Sequence, residues 1–438
     1  MPRALLGANP AGAVLVAGAL VGTSLVVSLM LSLIGRQDGM GVRDTLTMTT
    51  ALMAGAFGAD LEGSIQGVAG QVGAVPLTIT LITLAVAIIV FRRVTAGHQR
   101  ASAGLLLAAR SAVAAALVMM AFARAFTTTS DGARVGVSVL GAFVLTLVIV
   151  FLVLALVVLL RRDWLRSRFL RALYEWAAAP VLGLAVALAL LPLAGLIAGL
   201  AVLLFGSGTS AYTSSLSGGE WRLVIVGAIA YAGNLGLWAI TLGASGTVGV
   251  FGLQHYLDLI NGFAGAWGGD GLGLPTGGRL TWFTGTFQEP GLWVSVALTP
   301  LCLALSAYGV VRASGVRRRA DPCRPLALRG LALWVVSLLG AVPCVVRLAN
   351  VHAHLVGPFG ISLTPTVGAS GVSATFLLVG YAAVVAVVTA VVVGALDVAA
   401  CRAFLAAVGR RRWRRRPGCS SVGPPPGPTS PPPGGRPR

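Results

Sequence analysis

Long apolar runs separated by short polar segments dominate the chain. Nine runs reach the length of about 20 residues that a helix needs to cross a hydrocarbon core of about 30 Å. They are Ala11–Ile34, Val72–Phe91, Ala103–Ala123, Val135–Leu160, Ala177–Phe205, Leu223–Leu242, Gly291–Val311, Leu328–Leu348 and Ala374–Leu396. Within them apolar residues follow one another without the period-2 alternation of barrel strands. Lipid offers no partner to a bare backbone N–H or C=O, so the runs are expected to be helices. The fold class expected is therefore all-α, a polytopic transmembrane helix bundle. The first run follows Arg3, is longer than a secretory signal's apolar core and lacks an A-x-A site, so it reads as a retained span.

Composition agrees. Of the 438 residues 56% are hydrophobic and 10% charged, against roughly 25% charged in a soluble domain. That charge cannot cover a water-facing surface, so a soluble globule is excluded, and disorder is excluded over most of the length. The net charge of +19 does not point to nucleic acid, because the basic residues, all Arg, gather at the ends of apolar runs. Of the five cysteines, Cys302 and Cys344 fall in spans, and Cys323, Cys401 and Cys419 on the cytoplasmic side. None has zinc-ligand spacing, and no disulfide is expected.

The arginines order the loops. Arg92, Arg93 and Arg100 follow the second run, Arg161–Arg171 the fourth, Arg312–Arg329 the seventh, and the tail adds Arg402 and Arg410–Arg416. Loops 35–71, 124–134, 206–222, 244–290 and 347–373 hold only seven Arg but nine of the thirteen acids. By the positive-inside rule the rich loops are cytoplasmic. Alternation from a cytoplasmic N-terminus holds through the fifth run and then fails, because 206–222 and 244–290 both belong outside. One hidden or re-entrant traverse at Thr247–Phe263, after the turn Gly243–Gly246, restores it. The expectation is about ten crossings, both termini cytoplasmic, in the cytoplasmic membrane. Residues 1–408 form one bundle domain, and 409–438 form a basic, then Pro-rich, disordered tail. Thr45–Ala59 reads as an outer interfacial helix. Gly195 and Gly199, flanked by Ala194 and Ala198, read as a close-packing face.

Few residues could carry chemistry. His255 and Asp258 share a helical face in the hidden segment and could handle protons or contact a substrate. If the segment lies at the outer interface, both are simply hydrated. Arg110, inside the third run, could be a buried counter-charge, although its depth also permits snorkelling. His352 and His354 form an H-x-H pair in the last outer loop, a weak metal signal without a nearby acid or Cys. Asp38, Asp44, Asp60 and Glu62 occupy the first outer loop, where lipid-linked glycosyltransferases often place carboxylates, but they are scattered. Pro192, Pro300 and Pro343 interrupt spans. Arg411, Arg412, Arg414 and Arg415 are expected to contact anionic headgroups at the cytoplasmic face, at about 1 kcal/mol each. No nucleotide, haem, zinc-protease or hydrolase motif is found. Hence no catalytic, cofactor or metal residue is assigned.

Three blocks resemble the streptophobe family, very hydrophobic polytopic membrane proteins of actinobacteria with no assigned activity. They are Val75-Pro76-Leu77-Thr78-Ile79-Thr80-Leu81, Asn234–Trp238, and His352-Ala353-His354 leading to Gly357-Pro358-Phe359-Gly360-Ile361-Ser362-Leu363. A second resemblance is to actinobacterial polytopic proteins linked to cell division and persistence. Neither implies catalytic residues. The leading functional expectation is a non-enzymatic envelope protein acting through helix packing, with the bilayer and a membrane protein or second copy as partners. The alternatives are a secondary transporter with a broken helix at 247–263, and a lipid-linked transferase using outer-loop carboxylates.

Overall fold

The computed structural model describes residues 10–37, 40–65, 68–96, 101–125, 128–130, 133–161, 168–205, 218–251, 279–280, 293–314, 324–356 and 362–393. All of these fall in one compact unit. The eleven described helices are α1 (Pro10–Ile34), α2 (Val42–Gly55), α3 (Leu77–Val94), α4 (Ala101–Ala125), α5 (Val139–Leu159), α6 (Arg168–Phe205), α7 (Gly218–Ala230), α8 (Ala232–Gly243), α9 (Trp293–Ala313), α10 (Arg324–Ala349) and α11 (Gly371–Val392).

Eight of them, all but α2, α7 and α8, are long and apolar enough to cross a membrane. Their outer faces carry large bare side chains such as Leu140 (73% exposed) and Phe376 (69%), a surface that lipid covers and water would not. The apolar helices thus fit a multi-pass membrane protein. Leu20, Phe57, Phe91, Met119 and Leu154 form the core of the first five helices. Helices α6 and α8 to α11 pack into a second group.

The sixth apolar run is not one helix. It breaks at Tyr231 into α7 and α8, bent by 69°. Nor is Thr247–Phe263 a helix where it is described: after the turn at Gly243–Gly246, with Ser245 at φ 66°, residues Val248–Phe251 form a strand. Residues 252–263 lie outside the described residues. Against the expectation of about ten crossings, the described helices supply eight candidates, or nine if the bent pair counts as one; the expected tenth traverse falls largely outside the described residues.

The described strands form an element that the apolar pattern did not predict, a nine-stranded antiparallel sheet. They are β1 (Leu61–Ile65), β2 (Val68–Gly73), β3 (Thr128–Ser130), β4 (Ala133–Val137), β5 (Val248–Phe251), β6 (Arg279–Leu280), β7 (Val351–Val356), β8 (Ser362–Leu363) and β9 (Thr366–Ala369). The order is β3-β4-β1-β2-β7-β9-β5-β6, with β8 on β7. Four connections contribute, α2–α3, α4–α5, α8–α9 and α10–α11. Hydrogen bonding between them holds all four at one end of the bundle. Each is arginine-poor, and the arginine-rich connections join the opposite helix ends.

The bent pair lies along the sheet end. Val226 of α7 packs against Gly35, just past α1. Asn234 of α8 bonds the start of α3 and the end of α10. Gly243 abuts the Ser295 backbone at the start of α9. Three points along the pair thus sit at sheet-side helix ends. The expected packing face is found in part: a Cβ on Gly195 would strike the Ala232 carbonyl, and one on Gly236 the Leu191 carbonyl. Backbone therefore meets backbone where α6 crosses α8. Gly199 has no such neighbour.

Candidate functional site

The sheet brings together two sets of residues nearly 300 positions apart in sequence. In β1–β2, Glu62 pairs with Gln71; in β2–β7, Gln71 pairs with His354 and Gly73 with His352. Paired residues lie side by side on one face, and residues two apart share that face. Glu62, Gln71 and His354 thus make one row across three strands. His352 lies on the same face, opposite Gly73, and Asp60 reaches it by extending β1: its carbonyl accepts the Ser138 N–H at 2.9 Å.

Gly73 permits the second row. A Cβ there would collide with the Asp60 carboxylate, so the acid lies over the glycine, on the way to His352. Half-burial raises the Asp60 pKa above the ordinary carboxylate value, the nearby Glu62 charge raises it further, and His352 pulls it down. The His352 ring is held at both nitrogens. Nε2 lies 3.0 Å from the Arg347 carbonyl, which can only accept, so Nε2 carries a proton. Nδ1 lies 3.2 Å from Thr366 Oγ1.

The exposed row borders a pocket of about 470 Å³. Glu62, Ser64, Gln71 and His354 supply its polar side chains, Gly63, Gly70 and Gly136 its bare backbone, and Val137, Val139 and Val356 its apolar part. Val137, in the pocket wall, and its strand partner Leu61 pack with Ala54, Ala123 and Ala142, which anchors this part of the sheet to the helices. The β2–β7 pairing also joins strands from the two helix groups, so the pocket sits at their seam. The site can hydrogen-bond a polar ligand and offers a carboxylate to a cation. Among the described residues no group of three or more His, Cys, Asp or Glu is arranged to hold a metal ion.

The other sequence candidates are not brought to this site. Asp258, His255 and the tail arginines Arg411, Arg412, Arg414 and Arg415 lie outside the described residues. Arg110 is half-buried on α4 and has an interaction of its own. Asp44 caps the start of α2, accepting the Gly41 N–H at 2.9 Å. A cavity within the bundle, about 120 Å³ among Leu184, Leu188, Leu237, Cys302, Leu338 and Leu378, is apolar.

Sequence reasoning missed two residues that build the site's frame. Asn234 donates to Val75 O (2.8 Å) and Ala349 O (2.9 Å) and accepts from Leu77 N–H (3.1 Å). Asn350 donates to Ala369 O (2.8 Å) and accepts from Ala369 N–H (2.9 Å). Both are buried. A lone Asn within an apolar run is the signal that could have exposed the first, because a buried amide needs partners. Val75–Leu81 and Asn234–Trp238 meet at this clamp. Comparison with protein-family models, curated proteins and solved structures returns no match.

Proposed function

We infer that the chain is an eight-crossing protein of the cytoplasmic membrane, with the start of α1 and the end of α11 on the arginine-rich, cytoplasmic side. On this reading the bent pair α7–α8 does not traverse. The parity of the sequence argument survives, with one crossing removed where the arginine count alone suggested adding one. We further infer that the protein is a non-enzymatic envelope component, and that its outer sheet recognises a polar segment of a membrane or envelope protein. The row Glu62–Gln71–His354 beside the 470 Å³ pocket carries this reading. A bilayer-facing bundle needs no exposed polar row from three strands, whereas a recognition surface does.

Site-specific photo-crosslinking tests it. A photoreactive side chain at Gln71 should capture a discrete protein partner in membranes, and one at lipid-facing Val384 should not. Equal, lipid-only labelling at both positions would refute the recognition role. A second reading, a lipid-linked transferase, draws on Asp60 and Glu62 sharing a face, with Asp60 inclined to hold its proton as a general acid must. It would be favoured if Glu62→Gln and Asp60→Asn each abolished a phenotype that Gln71→Ala spared.

A further inference from the structure

At the arginine-rich end, α6, α9 and α10 enclose a second polar cavity of about 440 Å³, lined by Tyr174, Trp176, Ala179, Ser314, Arg329 and Gly330 among others. The Arg329 guanidinium lies flat on the Trp176 ring, its carbon 3.3 Å from the ring centroid. Its Nε and Nη2 are buried and find no hydrogen-bond acceptor among the described residues. Those two nitrogens form the side-on edge of the guanidinium, whose parallel N–H bonds match two oxygens of a phosphate or carboxylate. Leaving charged donors buried and unpaired is costly. Stacking on Trp176 fixes the plane of that edge, which pre-organises it for a pair of acceptor oxygens.

We propose that Arg329 and Trp176 bind the phosphate of an anionic phospholipid. Several features select a lipid over a free anion. Trp176 is half exposed, as an interfacial aromatic is. Leu326, on the cavity wall, and Leu182, one turn into α6 beyond it, are exposed apolar residues over which acyl chains can run. Arg312, in the last turn of α9 next to the cavity-lining Ala313, adds attraction for negative headgroups. Glu175, also at the cavity, has an interaction of its own.

The proposal rests on the membrane reading, whose failure would show separately as a chain that stays soluble without detergent. It does not depend on the outer sheet. The test is native mass spectrometry of the detergent-purified full chain with phosphatidylglycerol, phosphatidylcholine or inorganic phosphate, in parallel with melting curves. Wild type should retain phosphatidylglycerol more strongly than Arg329→Met by at least about threefold, and more strongly than phosphatidylcholine. Without lipid, Arg329→Met should melt no lower than wild type, because the orphaned donors are gone. Should that variant fail to fold, Arg329→Lys keeps the charge but lacks the fork and should still lose retention, as should Trp176→Leu. Equal retention by wild type and the folded variants would overturn the proposal. So would an equal melting shift with inorganic phosphate, which would mark a free-anion site.

Discussion

Replacing Asn234 with Leu removes a side chain that ties α8 to two other helices. The bonds lost are those to Val75 O, Ala349 O and Leu77 N–H. Asn234 is 1% exposed, so water cannot replace them without repacking. Leu77 opens α3, and its N–H has no partner inside its own helix. Each orphaned buried group costs about 1–3 kcal/mol, and interhelical bonds in membranes average nearer 0.6 kcal/mol. Three such losses therefore span about 2–9 kcal/mol. At about 2 °C per kcal/mol, a melt followed by size-exclusion chromatography in detergent should fall by about 4–18 °C. Thr241→Val is the control: its hydroxyl bonds only Leu237 O within its own helix, so its melt should hardly move. If Asn234→Leu melts within about 1 °C of wild type, the clamp carries no weight, and the placement of α8 at the sheet end loses its main support.

Three further outcomes are expected. Gly195→Val drives a side chain into the Ala232 carbonyl and should cost about 3 kcal/mol or more, read as loss of the monodisperse peak, whereas Gly199→Val, with open space around it, should be tolerated. Asp60→Asn should raise the melting temperature at pH 7. A carboxyl whose folded pKa is raised contributes stability that is fully present below its unfolded pKa and is lost as pH rises through the folded value; the gain should vanish in acid, and a lower melt at pH 7 would contradict the assignment. Thr299→Val removes the 2.9 Å bond to Ile240 O between α9 and α8 and should cost about 1 kcal/mol in the same melting assay.

The spans were legible because lipid imposes one rule on every residue of a run. Ala11–Ile34 became Pro10–Ile34, and Ala103–Ala123 became Ala101–Ala125. The sheet was not legible. Its strands are two to six residues long, rich in Gly, Ala, Val and Thr, and pair across distances such as Gln71 to His354, so no local period announces them. Two strands were hidden inside predicted spans, because Val72 and Val135–Val137 simply looked apolar. The break at Tyr231 was masked in the same way. Leu223–Leu242 has the hydropathy of a crossing, and only the cluster Gly233-Asn234-x-Gly236 marks it as a junction. Of the candidate site, both halves were noticed, the loop acids and the H-x-H pair. Their meeting depends on β2–β7 pairing, which depends in turn on how the two helix groups dock.

The central claim is that α7–α8 turns back and leaves residue 245 on the sheet side. In a cysteine-less background, single cysteines at Ser245, Gln71 and Arg93, all exposed, can be probed with a membrane-impermeant maleimide on intact cells. The account predicts labelling of Ser245→Cys and Gln71→Cys from outside, and of Arg93→Cys only after permeabilisation. Labelling of Ser245→Cys only after permeabilisation would show that the bent pair crosses and would contradict it.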